Sequence, residues 1–336
     1  MTLLQAPGKT IYLAETIMKP LFLQSTIPYG PAPAWCFPTF EGCMYLLFLF
    51  CLATAVRRGK KDVFYLLGAL AFGLVLEYIE VISDMGYTYG HFMVMLGRAP
   101  HDIPLCIGVG WGIIIYTARL FSDGLGLPLW AAAAFDALLA INIDLSMDTV
   151  AYRLHMWTWN WAGTKLNPLT AQWFGIPWGN FFGWQVVVFF YSGFSRCFER
   201  VLCRTNGSGA WRWLATALLA LLCAQVLLYT LEAYVEEFMY KNLGITSLGR
   251  FLGFLTLQIG LAAWGWSKRT APPALIPVIS WVVPGWFHLF FFTCLFLAGF
   301  YRENSWMLIA ACINLLIGIV IHWYPAVERK PTNLPG

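Results

Sequence analysis

The sequence predicts an all-α fold, a polytopic integral membrane helical bundle of eight or nine transmembrane helices. Hydrophobic residues make up 59% of the 336 residues and charged residues only 11%, which is too apolar for an ordinary soluble domain. Apolar runs of about 20 residues recur along the chain, and each is long enough to cross hydrocarbon as a helix. No alternating pattern of about ten residues indicates a membrane β-barrel.

The apolar runs give the candidate helices in chain order. They cover residues 37–56, 62–82, 100–121, 127–148, 179–198, 214–236, 247–266, 274–298 and 305–324. We expect Pro277 and Pro284 to kink or break the segment that contains them. The chain therefore divides into an N-terminal tail or interfacial segment (1–36), a transmembrane core that carries the motif residues (37–198), and C-terminal transmembrane helices (199–336).

The basic residues predict an orientation in the membrane. They cluster at one set of helix ends, for example at Arg57–Lys61, Arg196–Arg204 and Lys268–Arg269. Short cytoplasmic loops carry an excess of Lys and Arg. This places the N-terminus outside and the C-terminus in the cytoplasm. The net charge of +4 follows from this asymmetry and indicates no nucleic-acid partner.

Acidic residues concentrate near the opposite helix ends. Glu77, Glu80 and Asp84 are spaced i, i+3 and i+7, which places them on one face of the second helix. Asp144 and Asp148, spaced i and i+4, likewise share a face of the fourth. Carboxylates so close together cannot all be ionised in a low dielectric, so at least one should hold a proton near neutral pH. Such a group is a ready proton donor.

The region around these acids resembles a membrane carotenoid-biosynthesis family that includes the bacterioruberin-type and gamma-carotene 1,2-hydratases. The resemblance spans roughly residues 70–190. The matching pieces are Glu77 with the turn Gly86-Tyr87-Thr88-Tyr89, Ile103-Pro104 with Trp111, Asp144 with Asp148, Trp157-Thr158-Trp159, and the block from Gly175 to Trp184 that reads GIPWGNFFGW.

The resemblance implies that water is added to the terminal double bond of an acyclic polyene end group. This reaction needs a strong acid for the alkene, surroundings that tolerate a tertiary carbocation, and a held water. A protonated carboxylic acid can supply the first and aromatic faces the second. A neighbouring carboxylate, Asn or His can orient the water.

These requirements assign the candidate site residues. The predicted proton donor is Asp144 or Asp148, with Glu77 or Asp84 as its partner and Asn180 as organiser of the water or backbone. The predicted substrate-binding residues are Glu80, Tyr87, Tyr89, His101, Trp111, His155, Trp157, Trp159, Trp178 and Trp184. The expected substrate is a lipophilic polyene or terpenoid within membrane lipid, and the sequence assigns no oligomeric state.

Three other functions remain open at this point. Protonation could be followed by ring closure or double-bond migration without water capture, as in a terpenoid cyclase or isomerase. A proton-coupled transporter would also carry intramembrane acids. A metal enzyme could use His91, His101 and His155, but the five His do not form closely spaced metal-binding motifs, and the nine Cys include no CxxC pair. We therefore predict no metal or other cofactor.

Overall fold

The computed structural model describes residues 31–83, 86–161, 165–203, 209–269 and 275–327. Within them the chain forms a bundle of long helices with a few short strands at one end. The helices are α1 (Cys36–Arg58), α2 (Lys60–Ile82), α3 (Leu105–Gly124), α4 (Leu129–Arg153), α5 (Trp178–Leu202), α6 (Ala210–Thr230), α7 (Glu237–Leu243), α8 (Ser247–Lys268), α9 (Ile279–Leu297) and α10 (Ser305–Val327). A π-helical turn (Leu231–Glu236) joins α6 to α7, and a 3-10 turn (Phe300–Arg302) follows α9.

The structure confirms the all-α membrane bundle. In the described ranges, seven helices are long and apolar enough to cross a membrane, or up to eight if α7 and α8, bent by 109° at their junction, form one span. The helix α5 is not among the seven. It carries buried polar side chains, including Gln185, Ser192 and Arg196, which lower its hydropathy without preventing it from forming a long helix inside the bundle.

Two helix boundaries differ from the predicted ones in ways that matter for the acids. The third helix begins at Leu105, and the preceding Pro104 has an extended backbone (ψ 133°). A residue before proline is disfavoured in the helical conformation, so the helix does not extend back to Ile103. The fourth helix continues to Arg153. Asp148 therefore lies more than one turn inside α4.

The helix α9 begins after Pro277 and runs through Pro284.

A network of ion pairs holds one end of the bundle together. Arg196 on α5 donates to Asp136 Oδ2 at 2.7 Å and to Asp123 Oδ1 at 2.8 Å. Arg119 on α3 donates to Glu199 Oε2 at 2.7 Å. Each of these charges has an opposite partner, which offsets the free-energy cost of removing it from water. The network fixes α3, α4 and α5 relative to one another.

Short antiparallel ladders connect the turns at the other end. The strands are β1 (Tyr87–Tyr89), β2 (Met95–Leu96), β3 (Ile103–Pro104) and β4 (Trp157–Trp159). β1 pairs with β4, with Tyr87 opposite Trp159 and Tyr89 opposite Trp157, and β2 pairs with β3. Because β1 follows α2 and β4 follows α4, the first ladder joins the ends of the two helices that carry the candidate acids.

Arg153 anchors the segment that leads into α5. Its side chain is 0% exposed and forms an ion pair with Glu303 at 2.7 Å. Its guanidinium also donates to the carbonyls of Leu169 at 3.0 Å and Phe174 at 2.8 Å. Glu303 lies between α9 and α10, so this pair ties the C-terminal helices to the connector that positions α5.

Candidate active site

Glu77 is a buried acid on α2 that accepts three side-chain hydrogen bonds. The Tyr87 hydroxyl donates to Oε2 at 2.5 Å, and the Tyr89 hydroxyl donates to the same oxygen. The Trp111 indole Nε1 donates to Oε1 at 2.7 Å. An ionised carboxylate is an acceptor only, and three donors aimed at one carboxyl group match that form. Donors therefore hold both oxygens of the Glu77 carboxyl group in place.

The two tyrosines that bind Glu77 lie outside the spanning helices, in β1. Burial raises the pKa of both hydroxyls well above the ordinary tyrosine value, and the negative charge of Glu77 raises it further. Both groups consequently keep their protons and remain hydrogen-bond donors. They hold Glu77 in place and present their rings to the space beside it.

Gly73, one helical turn before Glu77, allows Trp111 to approach α2. A Cβ atom at Gly73 would lie 2.4 Å from Trp111 Cβ and 2.6 Å from Cγ, closer than any real packing contact. Only glycine leaves this room. The close approach of α2 and α3 brings the indole nitrogen within hydrogen-bond reach of the carboxylate.

Asp144 and Asp148 share one amide donor. Asn180 Nδ2, in the first turn of α5, lies 2.7 Å from Asp148 Oδ2 and 3.2 Å from Asp144 Oδ2. The residues Asp144 and Asp148 are 0% and 3% exposed. Asp144 Oδ1 is buried without a hydrogen-bond partner among the described residues. The two carboxyl groups also hydrogen-bond with each other, and Asp148 has a further hydrogen bond with Trp157.

Aromatic rings pack around the acids. Trp111 and Trp184 pack with ring centroids 4.0 Å apart. Across the β1–β4 ladder, Tyr87 contacts Trp159 with centroids 4.8 Å apart. The faces of these rings carry the negative end of a quadrupole that attracts a cation. The site therefore combines buried acids with surfaces that tolerate positive charge.

Two adjoining cavities lie among these residues. The first, the narrow cavity, has a volume of about 60 Å³, and the second, the wide cavity, about 290 Å³. Both are lined by Glu77, Tyr87, Trp111, Trp159, Asn180 and Trp184. The narrow cavity is also lined by Phe40, Tyr89, Cys106, Ile107, Gly110, Ile114, Met147, Asp148, Trp157 and Phe287. Asp148 therefore faces a cavity wall made mainly of hydrocarbon and rings.

Most of the residues that the sequence predicts for the site come together here. Asp144 lines neither cavity but hydrogen-bonds with Asp148 and shares the Asn180 amide with it, and Glu80 lines the wide cavity. The structure does not bring His101, His155 or Trp178 to either cavity. Trp178 instead stacks on Phe251 of α8 at 5.3 Å. Asp84 lies outside the described residues.

Several cavity residues have no functional signal in the sequence. Phe40, Met147 and Phe287 are apolar residues in apolar helices, and nothing in their spacing sets them apart. Ile107 and Ile114 on α3 are different, because each lies three or four residues from Trp111 and so shares its helix face. Phe287 also shows that α9, in the C-terminal half, supplies part of the wall.

Among the residues that the structure describes, no three His, Cys, Asp or Glu side chains converge in a way that could hold a metal ion. The buried polar groups of the site bind one another directly, as the Glu77 and Asn180 contacts illustrate.

The family model described as carotenoid biosynthesis protein matches residues 40–251 of the chain. This match includes every acid of the site and the block that begins α5, and it ends before Phe287 and Glu303. The comparisons with curated proteins and with solved structures found no match.

Proposed function

The chain belongs to the carotenoid biosynthesis protein family, and on that premise we propose that it is a hydratase of polyene end groups within the membrane. It protonates a terminal C=C bond of a lipophilic polyene and adds water to the resulting cation. The observation that carries this proposal is that Asp148 and Glu77, two acids in different hydrogen-bonding environments, face one cavity walled by aromatic rings.

Asp148 is the proposed proton donor. It lines the narrow cavity, whereas Asp144 lines neither cavity. Two carboxyl groups that share one amide donor in a low dielectric cannot both be ionised, so the pair retains a proton. The proton goes to the less substituted alkene carbon, and the positive charge forms on the tertiary carbon.

The cation is held by rings and by Glu77. Trp111, Trp157, Trp159 and Trp184 surround the cavity together with Tyr87 and Tyr89. An aromatic face stabilises a desolvated cation by about 2 kcal/mol or more. The carboxylate of Glu77 adds a fixed opposite charge, positioned before the cation forms, which is the arrangement that lowers a barrier most effectively.

Water then captures the cation. Its oxygen forms the new C–O bond, and the proton that it loses passes to Glu77 and returns to Asp148 before the next turnover. The net reaction consumes one alkene and one water. Asn180, which lines both cavities, is placed to fix the acid pair and to orient the incoming water.

The same acid and rings could serve a cyclase or isomerase, since protonation is the first step of all three reactions. The family match and the ring-lined acid pocket support each of them. The mass of the product separates them, because hydration adds one water while cyclisation and isomerisation leave the mass unchanged.

The test is expression of the chain in a host that makes lycopene, followed by mass analysis of the extracted polyenes. We expect products heavier by one water. Products of unchanged mass but altered absorption would favour the cyclase or isomerase. Unaltered polyenes at good protein yield, with this and other acyclic end groups, would contradict the proposal.

A further inference from the structure

The wide cavity adjoins the candidate active site and differs from it in chemistry. The two cavities share Glu77, Asn180 and the Trp111–Trp184 pair as lining. Side chains of the site therefore border both cavities. A molecule in the wide cavity touches the same carboxylate and amide as a molecule in the narrow one.

Both linings mix polar and apolar groups, but the wide cavity has two polar side chains that the narrow cavity lacks. Glu80 and Asn160 line the wide cavity, and both belong to the end of the bundle where the chain leaves its helices. Asn160 is exposed. The narrow cavity has Phe40 and Ile114 on its wall instead. Water is favoured beside the first set and hydrocarbon beside the second.

The volume of the wide cavity suits several water molecules. A water needs roughly 10–15 Å³ of such space together with polar partners, and the cavity measures about 290 Å³. Its polar partners include the groups of Glu77, Glu80 and Asn180, and Glu77 and Asn180 also line the narrow cavity. Water in the wide cavity can therefore bind polar groups that also border the narrow cavity.

Two glycines on one face of α5 keep this space open. Gly179 and Gly183 are spaced i and i+4 and both line the wide cavity. A Cβ atom added at Gly179 would meet nothing within 4 Å. A larger side chain at this position would therefore extend into the cavity without displacing the backbone.

We infer that the wide cavity is a vestibule that supplies the water captured in the reaction, an inference that rests on the proposed hydratase function. The polyene end group occupies the narrow cavity, and water reaches the cation past Glu77 and Asn180. The vestibule decides the outcome of protonation. When water is present the cation gains a C–O bond, and when water is absent the cation loses a proton and returns to an alkene.

The experiment separates protonation from water capture. Purified protein in lipid nanodiscs is given lycopene in D₂O. Hydrated product reports capture, and deuterium in the recovered polyene reports protonation followed by proton loss. The variants are Gly179→Ala and Gly179→Leu. We expect hydrated product to fall with side-chain size, by roughly tenfold or more for Gly179→Leu as the cavity loses room for water, while deuterium in the recovered polyene stays equal or rises.

The matched control is Gly253→Leu on α8. Gly253 also has nothing within 4 Å of an added Cβ, but it is exposed and lines neither cavity. Both readouts should equal those of the unaltered protein.

Two results would contradict the inference that the wide cavity supplies the water. If hydrated product and deuterium exchange fall together in Gly179→Leu, the cavity admits the polyene and not the water. If neither changes, the space plays no part in capture. If the unaltered protein shows neither hydration nor exchange, the proposed function itself fails, and that result is distinguishable because it does not depend on any variant.

Discussion

The side-chain amide of Asn180 lies 2.7 Å from a carboxylate oxygen of Asp148. This contact joins the first turn of α5 to the buried face of α4. The same amide lies 3.2 Å from Asp144, so the two acids share this donor. The two carboxyl groups also hydrogen-bond with each other, whereas Glu77 is bound by three donors, none of them a carboxylic acid, and we base the proposed roles of acid and carboxylate on this contrast.

Replacing Asp148 by Asn should abolish most of the activity. The amide keeps the shape but cannot donate a proton to an alkene, and a general acid contributes roughly 100-fold or more to a rate. Asp144→Asn should have a smaller effect, because Asp144 lines neither cavity. Product formed per unit of purified protein is the measurement. Asp102→Asn, in the loop before α3, is the control. If Asp148→Asn and Asp144→Asn were each as active as this control, neither aspartate could be the proton donor.

Removing the donors to Glu77 should lower the activity without unfolding the protein. Trp111→Phe keeps an aromatic ring but loses the indole N–H, and Tyr87→Phe loses a hydroxyl. A hydrogen bond to a charged group contributes about 1.5–3 kcal/mol, so each variant should slow turnover by roughly tenfold or more. Turnover at saturating polyene checks this.

The double variant Tyr87→Phe/Tyr89→Phe is compared with each single variant. Both hydroxyls donate to Glu77 Oε2, so the double variant should lose more activity than either single one. A double variant as active as the unaltered protein would show that Glu77 needs neither hydroxyl.

Gly73→Ala should destabilise the protein and inactivate it. The new methyl group would lie 2.4 Å from Trp111 Cβ and force α2 and α3 apart, at a cost of about 1–3 kcal/mol. Trp111 would then lose its bond to Glu77. The thermal unfolding midpoint in detergent and the product yield are the measurements. Gly42→Ala on α1, where an added Cβ meets nothing within 4 Å, should leave both unchanged.

Glu303→Gln should lower the stability of the whole bundle. It breaks the pair with Arg153, whose side chain is 0% exposed, and leaving a buried charge unpaired costs about 3–5 kcal/mol. A decrease in the unfolding midpoint is expected. The matched control is Glu237→Gln, since its pair with Lys241 is exposed at 58% and 66% and should contribute nothing measurable. Equal midpoints for the two variants would contradict the anchoring role.

The proposed orientation places the C-terminal end of α8 in the cytoplasm. A fusion of alkaline phosphatase after Lys268 should be inactive, because cytoplasmic loops carry the basic residues. A fusion after Gly244, which precedes α8, should be active on the outer side. The reverse pattern would invert the topology of the chain and place the acids at the cytoplasmic face.

The sequence by itself determined the class of fold and much of the local arrangement. Each long helix in the described ranges coincides with an apolar run that the sequence predicted to be helical. Lipid favours helices because all backbone hydrogen bonds must form within the segment. Helical spacing also predicted that Asp144 and Asp148 share a face of α4. The candidate acids, the aromatic turns and the start of α5 were thus all identified from residue type and spacing.

Only the tertiary structure decided which of these residues meet. Periodicity fixes the residues that share a face of one helix, but the neighbour that this face contacts depends on long-range packing. The pairing of β1 with β4 aims Tyr87 and Tyr89 at Glu77, and no local pattern predicts such a pairing. The same packing places Asp148 on the wall of the narrow cavity and Trp178 against Phe251. It also brings Phe287 to the cavity and Glu303 to Arg153, although the C-terminal half of the sequence carries no motif.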